Sequence, residues 1–388
     1  MSEDTSKQEL DIDGNPARVE DGVEDDELDM DNLSPFDPDK IRLRTQPFSL
    51  AQCLGRIKQD TLKLAPDFQR SFVWDKKRQS QLIESLMLKI PLPMFYVSSD
   101  ARENYHVVDG LQRLTTLRNF ILLPNERIDG KDERFKLEGL EFWTELNGKR
   151  FNDLDVYLQN RILETTLQMT IIEYQTPEKV KRNVFKRLNT GGMPLTPQEI
   201  RHALYQGAST VLLKNLVETK EFKDATGASI RDSRMVGREI ILRFLSFIIL
   251  NIEDYKGDMD DFLSNTMEKI NSFSLEQRKK LEEIFLLSMR RAYRLFMSHC
   301  FRKSLPIDDK KTPINRSLFE VWSVLLSNLQ ENDFNILLNK REILYKKLKY
   351  LYSQENFQRA VSRDSWKVES VRMRYKEIKN AIDETIRG

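Results

Sequence analysis

The chain has 388 residues, of which 39% are hydrophobic and 32% charged, so we expect two or three domains with a sizeable core. It contains no run of 18 apolar residues and its N-terminus is acidic, which excludes a transmembrane helix and a signal peptide. Two cysteines (Cys53 and Cys300) and three scattered histidines exclude a disulfide framework and a structural zinc site. These features predict a cytoplasmic protein that does not contact a membrane.

The net charge of +1 hides an uneven distribution along the chain. Residues 1–40 contain fifteen acidic and three basic residues, whereas the rest contains 46 acidic and 59 basic residues. A basic body predicts a polyanionic partner such as DNA. The acidic segment is poor in apolar residues, which predicts disorder. It is either a passive leader or a segment that competes for the basic surface by mimicking a phosphate chain.

Helical and extended patterns alternate between residues 46 and 200, which predicts an α+β domain. Ser49 is suited to cap the first helix, and Pro91 and Pro93 end the second. Runs rich in β-branched residues predict buried strands. The predicted helices start near Ser49 and span 76–89, 114–121, 155–165 and 178–188; the predicted strands span 94–97, 105–108 and 167–174.

From about residue 200 onward the sequence predicts helices and no convincing strand. Thr196 and Glu199 form a capping box that starts this region. The sequence therefore predicts a small mixed-sheet domain followed by an all-helical C-terminal domain. The predicted parts are a disordered acidic tail (1–45), the mixed domain (46–200) and the helical domain (201–388).

Polar residues cluster between Val107 and Leu117, where a predicted strand meets a predicted helix. Gly110 permits a sharp turn and the close approach of a ligand to the backbone. Amides at a helix N-terminus attract anions, and Arg113 can pair with phosphate oxygens. Asp109 is suited to bind Mg²⁺ or to orient a water molecule. The sequence thus predicts a phosphate-binding site, whose other polar members are Gln112, Thr115 and Thr116.

A purely structural role explains the same spacing. In that interpretation Asp109 caps the helix and Arg113 forms an ion pair. The residues alone leave both interpretations open.

Three further segments, at 68–74, 185–195 and 231–239, carry groups suited to nucleotide or DNA. The first places a Gln-Arg pair between aromatic residues, which suits base stacking and phosphate contact. The other two place basic residues at a helix end and before an apolar helix. Each has a structural alternative: core aromatics, a helix C-cap or a solvated helix start. The residues concerned are Gln69 and Arg70 in the first, Lys186, Arg187 and Asn189 in the second, and Arg231, Arg234 and Arg238 in the third.

Several familiar catalytic sites are missing from the sequence. No G-x-x-x-x-G-K-[ST] loop is present, which argues against a P-loop nucleotidase. Neither a G-x-S-x-G elbow nor a histidine-based nuclease motif occurs.

The order of these segments resembles the domain of unknown function 262 family, which is the N-terminal domain of GmrSD-type modification-dependent restriction enzymes. The resemblance rests on Phe68–Trp74, Leu82–Leu86, Ile90–Pro93, Val108–Leu117, Phe151–Leu154, Phe185–Thr190, Leu195–Ile200 and Asn315–Phe319. It implies a ParB/sulfiredoxin-like core. It also implies that a D-G-Q-Q-R motif binds and hydrolyses nucleoside triphosphate, with a role in antiphage defence and the sensing of modified DNA.

Carried over to this chain, the motif is Asp109-Gly110-Leu111-Gln112-Arg113, with leucine replacing the family's first glutamine. Gln69, Arg70 and Asn189 match other polar positions of the family. The helical end lacks the paired histidines of the nuclease domain that such proteins often carry. We therefore expect a stand-alone nucleotide-binding sensor whose cutting activity, if any, comes from a partner protein.

The leading hypothesis is a nucleotide-dependent DNA-binding module of a restriction-type defence system, with triphosphate hydrolysis at the motif. Asp109, Gln112 and Arg113 are its predicted catalytic residues, and Asp109 its ligand to Mg²⁺. One alternative is a non-enzymatic DNA-binding or adaptor protein. Another is a metal-dependent DNA nickase that uses the same pocket. The nucleotide, the DNA modification and the oligomeric state are left open.

Overall fold

In the computed structural model, residues 19–20, 23–24, 40–64, 74–122, 135–188 and 196–388 are described. They contain eight strands: β1 (Val19–Glu20), β2 (Val23–Glu24), β3 (Leu43–Ser49), β4 (Leu62–Lys63), β5 (Phe95–Ser99), β6 (Tyr105–Asp109), β7 (Thr166–Ile172) and β8 (Ile314–Asn315).

The same residues contain sixteen α-helices: α1 (Leu50–Lys58), α2 (Lys76–Met87), α3 (Leu111–Ile121), α4 (Val156–Leu163), α5 (Glu178–Leu188), α6 (Pro197–Leu204), α7 (Ala208–Glu218), α8 (Lys220–Thr226), α9 (Val236–Ile249), α10 (Met259–Ser272), α11 (Leu275–Phe296), α12 (Arg316–Asn328), α13 (Glu331–Asn339), α14 (Arg341–Ser353), α15 (Glu355–Val361) and α16 (Val368–Arg387). None of them combines the length and apolar character needed to cross a bilayer.

The chain forms two units, a mixed unit (Pro35–Leu195) and a helical unit (Thr196–Gly388 with Met1–Ser34). The small mixed sheet and the largely helical remainder confirm the predicted α+β fold class.

The mixed unit is built on a five-stranded sheet in the order β3-β7-β5-β6-β4. The β3–β7 and β5–β6 pairs are antiparallel, and the β7–β5 and β6–β4 pairs are parallel. Side chains alternate across the strands, so Phe95 and Val97 of β5 enter the core with Leu114 and Leu117 of α3. This packing fixes the end of β6 beside the start of α3.

Local predictions for this unit have different outcomes. Ser49 caps the start of α1, as predicted, and its cap is a capping box with Gln52. Helix α3 begins at Leu111, earlier than predicted, because the left-handed backbone of Gly110 turns the chain directly from β6 into the helix. Strand β3 was not predicted at all, and it begins within the segment assigned to the tail.

The helical unit surrounds α9, whose residues between Val236 and Phe247 are all buried. Helices α7, α8, α10, α11, α12 and α16 contribute to the same core. Thr196 and Glu199 form the predicted capping box at the start of α6. The unit also contains a three-stranded sheet in the order β1-β2-β8, which the sequence did not indicate because each strand has only two residues.

The prediction of disorder throughout residues 1–40 is wrong at four residues. Val19–Glu20 and Val23–Glu24 form an antiparallel pair, and β2 continues in parallel onto β8. Composition alone did not reveal this pairing, because the partner strand lies almost 300 positions away.

Candidate functional site

The candidate site lies where β6 ends at Asp109 and α3 begins at Leu111. Gly110 between them has φ +94° and ψ 9°, in the left-handed region that favours glycine. A Cβ atom at Gly110 would lie 2.3 Å from Cδ1 of Phe95. The turn therefore requires glycine for its backbone conformation and for the space beside the aromatic ring.

The N-terminus of α3 carries no side-chain cap, because its N-cap residue is Gly110. The first backbone hydrogen bond of the helix runs from the amide of Leu114 to the carbonyl of Gly110, at 2.8 Å. The first turn of the helix also contains no acidic residue. Its early amides thus offer a positive helix end suited to an anion. The alternative in which Asp109 caps this helix is wrong, because the N-cap residue is Gly110. The ion pair that this alternative gave to Arg113 is present, with Asp109 as its partner.

The Arg113 side chain connects the turn to the entrance of β5. Its Nη2 atom donates to Oδ2 of Asp109 at 2.9 Å and to the carbonyl of Met94 at 3.2 Å. Its Nη1 atom donates to the carbonyl of Pro93, and the guanidinium lies 4.3 Å from the ring centroid of Phe95. Burial lowers the pKa of Arg113, and the neighbouring Asp109 carboxylate partly opposes this shift. Arg113 consequently holds the turn in place.

We expect Arg113→Ala to destabilise the mixed unit by roughly 2 kcal/mol, because it removes the donors of two carbonyls and one carboxylate. Arg113→Lys should recover only part of the loss, since one ammonium cannot replace the planar fork. Urea denaturation measures both effects. Full stability of Arg113→Ala would contradict the anchoring role.

Gln112 occupies the second position of α3 and is half-buried. Its Oε1 atom is buried, and no described residue donates a hydrogen bond to it. A buried acceptor without a donor is costly and is usually satisfied by water or a ligand. The side chain of Gln112 therefore leaves a buried hydrogen-bond acceptor open at the start of α3.

Thr115 and Thr116 are buried, with 3% and 0% of their surface exposed. The hydroxyl of Thr116 donates to the backbone carbonyl of Gln112 at 2.8 Å. Neither hydroxyl is accessible to a nucleotide in this structure. The predicted contact of these threonines with a phosphate is therefore not part of the site described below.

The arginines assigned to DNA binding in segment 231–239 have different environments. Arg238 is buried and its Nε atom lies 2.8 Å from Oδ2 of Asp232. Arg234 is paired with Glu199 at 3.1 Å, and Arg231 is exposed. A buried guanidinium that is neutralised by Asp232 is poorly suited to contact a DNA phosphate. Arg231 is exposed and 25% of the Arg234 side chain is exposed, so these two are the more accessible cations.

Other predicted site residues lie outside the described part of the chain. They are Gln69, Arg70 and Asn189, together with the side chains of Lys186 and Arg187, whose backbones belong to α5. What the structure brings together is Asp109, Gly110, Gln112 and Arg113.

Sequence reasoning missed the groups that hold Arg113. The carbonyls of Pro93 and Met94 and the ring of Phe95 belong to the segment that enters β5. The sequence of this segment begins with Pro-Leu-Pro, which indicates the end of a helix. It gives no indication that the segment contacts Arg113. Pairing of Tyr96 with Asp109 across β5 and β6 brings the two segments together.

Among the described residues, no group of three or more His, Cys, Asp or Glu side chains is close enough to hold a metal ion. Asp109 is thus a single carboxylate, with 37% of its side chain exposed and one oxygen paired with Arg113. A protein-only metal cage is absent from this part of the chain.

Comparison with known proteins gives one family. Residues 50–206 match the model of the GmrSD restriction endonuclease, N-terminal domain. The matched region begins with α1, contains the whole candidate turn and ends just beyond α6. A search of curated proteins finds no match. A domain similar to the GmrSD restriction endonuclease N-terminal domain is thus recognised in residues 50–206, which are fewer than half of the chain.

Proposed function

We propose that the turn from Asp109 to Arg113 binds the phosphate chain of a nucleoside triphosphate in a DNA-sensing module of restriction-type defence. The family match indicates the restriction-type role. The observation that carries the nucleotide proposal is the uncapped N-terminus of α3 beside the buried, unsatisfied Oε1 atom of Gln112. Backbone amides supply the anion site, and the free acceptor supports a further ligand contact.

In this proposal Arg113 is a positioning residue that also contributes positive charge. Its fork is occupied by Asp109, Met94 and Pro93, so the phosphates are held chiefly by the amides after Gly110. The sequence had instead predicted that the guanidinium of Arg113 pairs directly with phosphate oxygens. Binding through the amides also tolerates Leu111 in place of the family's first glutamine, because a backbone amide is present whatever the side chain.

Mg²⁺ fits the donor set as an ion that arrives with the triphosphate. Magnesium in such sites commonly takes one or two carboxylates and completes its shell with phosphate oxygens and water. The partly exposed Asp109 carboxylate would hold it, and the ion would neutralise charge on the phosphates. Hydrolysis would then depend on Gln112, whose side-chain amide would orient a water at the start of the helix.

The decisive experiment replaces Gln112 by alanine and measures binding of fluorescent ATP, GTP, CTP and UTP with Mg²⁺. We expect at least a roughly tenfold loss of affinity, the equivalent of one lost hydrogen bond in a desolvated site. Gln81→Ala is the matched control, because its amide is exposed and bonds to Glu141 in the same unit. Unchanged affinity of a folded Gln112→Ala variant would refute the assignment.

The same protein preparations separate the alternative functions. Phosphate release that is lost with Asp109→Asn supports a triphosphatase. Metal-dependent nicking of plasmid that is lost with the same substitution supports a nickase. DNA binding with steep salt dependence and no turnover supports a DNA-binding or adaptor protein. The proposed partners are DNA, a separate nuclease and a second copy of the chain. Phosphate release, plasmid nicking and DNA binding are measured on the same samples.

A further inference from the structure

The short strand β2 of the acidic tail is docked on the helical unit. Val23 pairs with Ile314 and Glu24 with Asn315 in a parallel register. Val23 is fully buried within the core of the helical unit. We propose that the edge of β8 is a peptide-binding site for an extended acidic segment, and that Val23–Glu24 is its resident ligand.

Glu24 is recognised through its side chain and its backbone. Lys303 Nζ donates to Oε1 of Glu24, and Asn315 Nδ2 donates to Oε2 at 3.1 Å. Arg316 Nη1 donates to the backbone carbonyl of Glu24 at 3.0 Å. The site thus recognises an extended backbone, one buried apolar side chain (Val23) and the carboxylate of the residue that follows it (Glu24). This is β-strand addition with an acid-specific pocket.

The residues of this pocket are held by the helical unit itself. Asn315 Nδ2 also donates to the carbonyl of Val361 at 2.8 Å, while its Oδ1 accepts from the amide of Leu318 at the start of α12. Lys303 Nζ also donates to the hydroxyl of Ser362 at 2.7 Å. Because these bonds do not involve the tail, the pocket is organised to receive a ligand rather than assembled by it.

The described contact between β2 and β8 is short, which suits a reversible interaction. Each of β1 and β2 has two residues, and Val23 is the apolar residue of β2 that enters the core. Short strand pairs are marginal without further packing. A segment that combines an apolar residue, an acid and strong local negative charge is therefore suited to dock and detach, and an acidic partner peptide would compete with it.

The test uses the full-length chain with its own tail displaced by Val23→Asp and Glu24→Lys. A fluorescent peptide with the sequence of residues 16–28 is titrated against it, and circular dichroism verifies that the chain is folded. We expect saturable binding, and weaker apparent binding to the wild-type chain, whose own tail competes for the pocket.

Variants of the peptide test whether the Glu24 carboxylate is needed for binding, and they leave the protein itself unchanged. A Glu24→Gln peptide should bind roughly tenfold more weakly, because its carboxylate contacts are lost. A Glu20→Gln peptide removes the same charge from β1, which is not adjacent to β8, and should bind like the wild-type peptide. Equal affinities for all three peptides, or no binding to the folded displaced-tail chain, would overturn the proposal.

A charge exchange provides an independent check. For this check the tail is displaced by Val23→Asp alone, so that it keeps Glu24. Lys303→Glu in that chain should abolish binding of the wild-type peptide, and a Glu24→Lys peptide should restore it, since the two charges contact each other directly. Failure of restoration, with the protein folded, would also contradict the proposed pairing.

Discussion

Replacement of Gly110 by alanine is expected to destabilise the mixed unit by roughly 3 kcal/mol and to abolish triphosphate binding at the turn. About 1–2 kcal/mol arises from placing an L-residue in the left-handed region, where Gly110 has φ +94°. About 1–3 kcal/mol arises from overpacking, since the new Cβ would lie 2.3 Å from a ring carbon of Phe95. Movement of that ring would also disturb Arg113, which packs on it.

Gly148→Ala is the matched control. Gly148 lies in the same unit with φ +84°, yet a Cβ there would meet no atom within 4 Å. It should therefore cost only the backbone strain, about 1–2 kcal/mol. Guanidinium denaturation of both variants isolates the steric part, and Phe95→Leu should relieve it in the Gly110→Ala background. Equal losses at the two glycines would show that the ring does not constrain the turn.

This turn shows what can be inferred from local sequence. The strand, the glycine and the helix were all indicated by neighbouring residues, as were the capping residues Ser49 and Thr196. Such features depend on hydrogen bonds within a few positions, so their signals lie in adjacent side chains. The mixed architecture followed from the alternation of these local elements.

Long-range contacts were not accessible in the same way. An ion pair of Arg113 was anticipated, and its partner is Asp109, one helical turn away. The two carbonyls that hold Arg113 come from another segment and were not anticipated. Arg238 was assigned to DNA although it is buried against Asp232. A cluster of basic residues looks the same in the sequence whether its side chains face solvent or pair with acidic residues of the same chain. The burial of the side chains in the structure distinguishes these cases.

Buried charge is most concentrated around Glu239 of α9 in the helical unit. Arg243 lies 3.3 Å from its carboxylate, and Arg201 and Arg316 each lie 3.9 Å away. Burial alone would raise the pKa of Glu239, but the charges of Arg316, Arg243 and Arg201 outweigh it and lower the pKa. Since Arg201 belongs to α6 and Arg316 to α12, this carboxylate joins three helices.

We expect Glu239→Gln to destabilise the helical unit by about 3–5 kcal/mol at pH 7, because it removes the buried carboxylate that three guanidinium groups share. Arg201 keeps its second ion pair, with Asp260. Glu253→Gln is the control: Glu253 pairs with Arg372 on the surface, where its side chain is 65% exposed. That change should cost at most about 1 kcal/mol. Urea denaturation of both variants at pH 7 makes the comparison, and a similar loss in each would contradict the network.

The lowered pKa of Glu239 also predicts how the loss of stability in Glu239→Gln varies with pH. A carboxyl group whose folded-state pKa is lowered stabilises the fold above its unfolded pKa, about 4.3 for glutamate. That contribution is lost as the pH falls through the lower folded-state value. The difference in stability between wild type and Glu239→Gln should therefore be constant from pH 7 to about 5 and shrink at more acidic pH. A difference that instead grew as the pH fell from 7 towards about 4.3 would mean that burial holds Glu239 protonated, because a raised folded-state pKa adds stability down to the unfolded value.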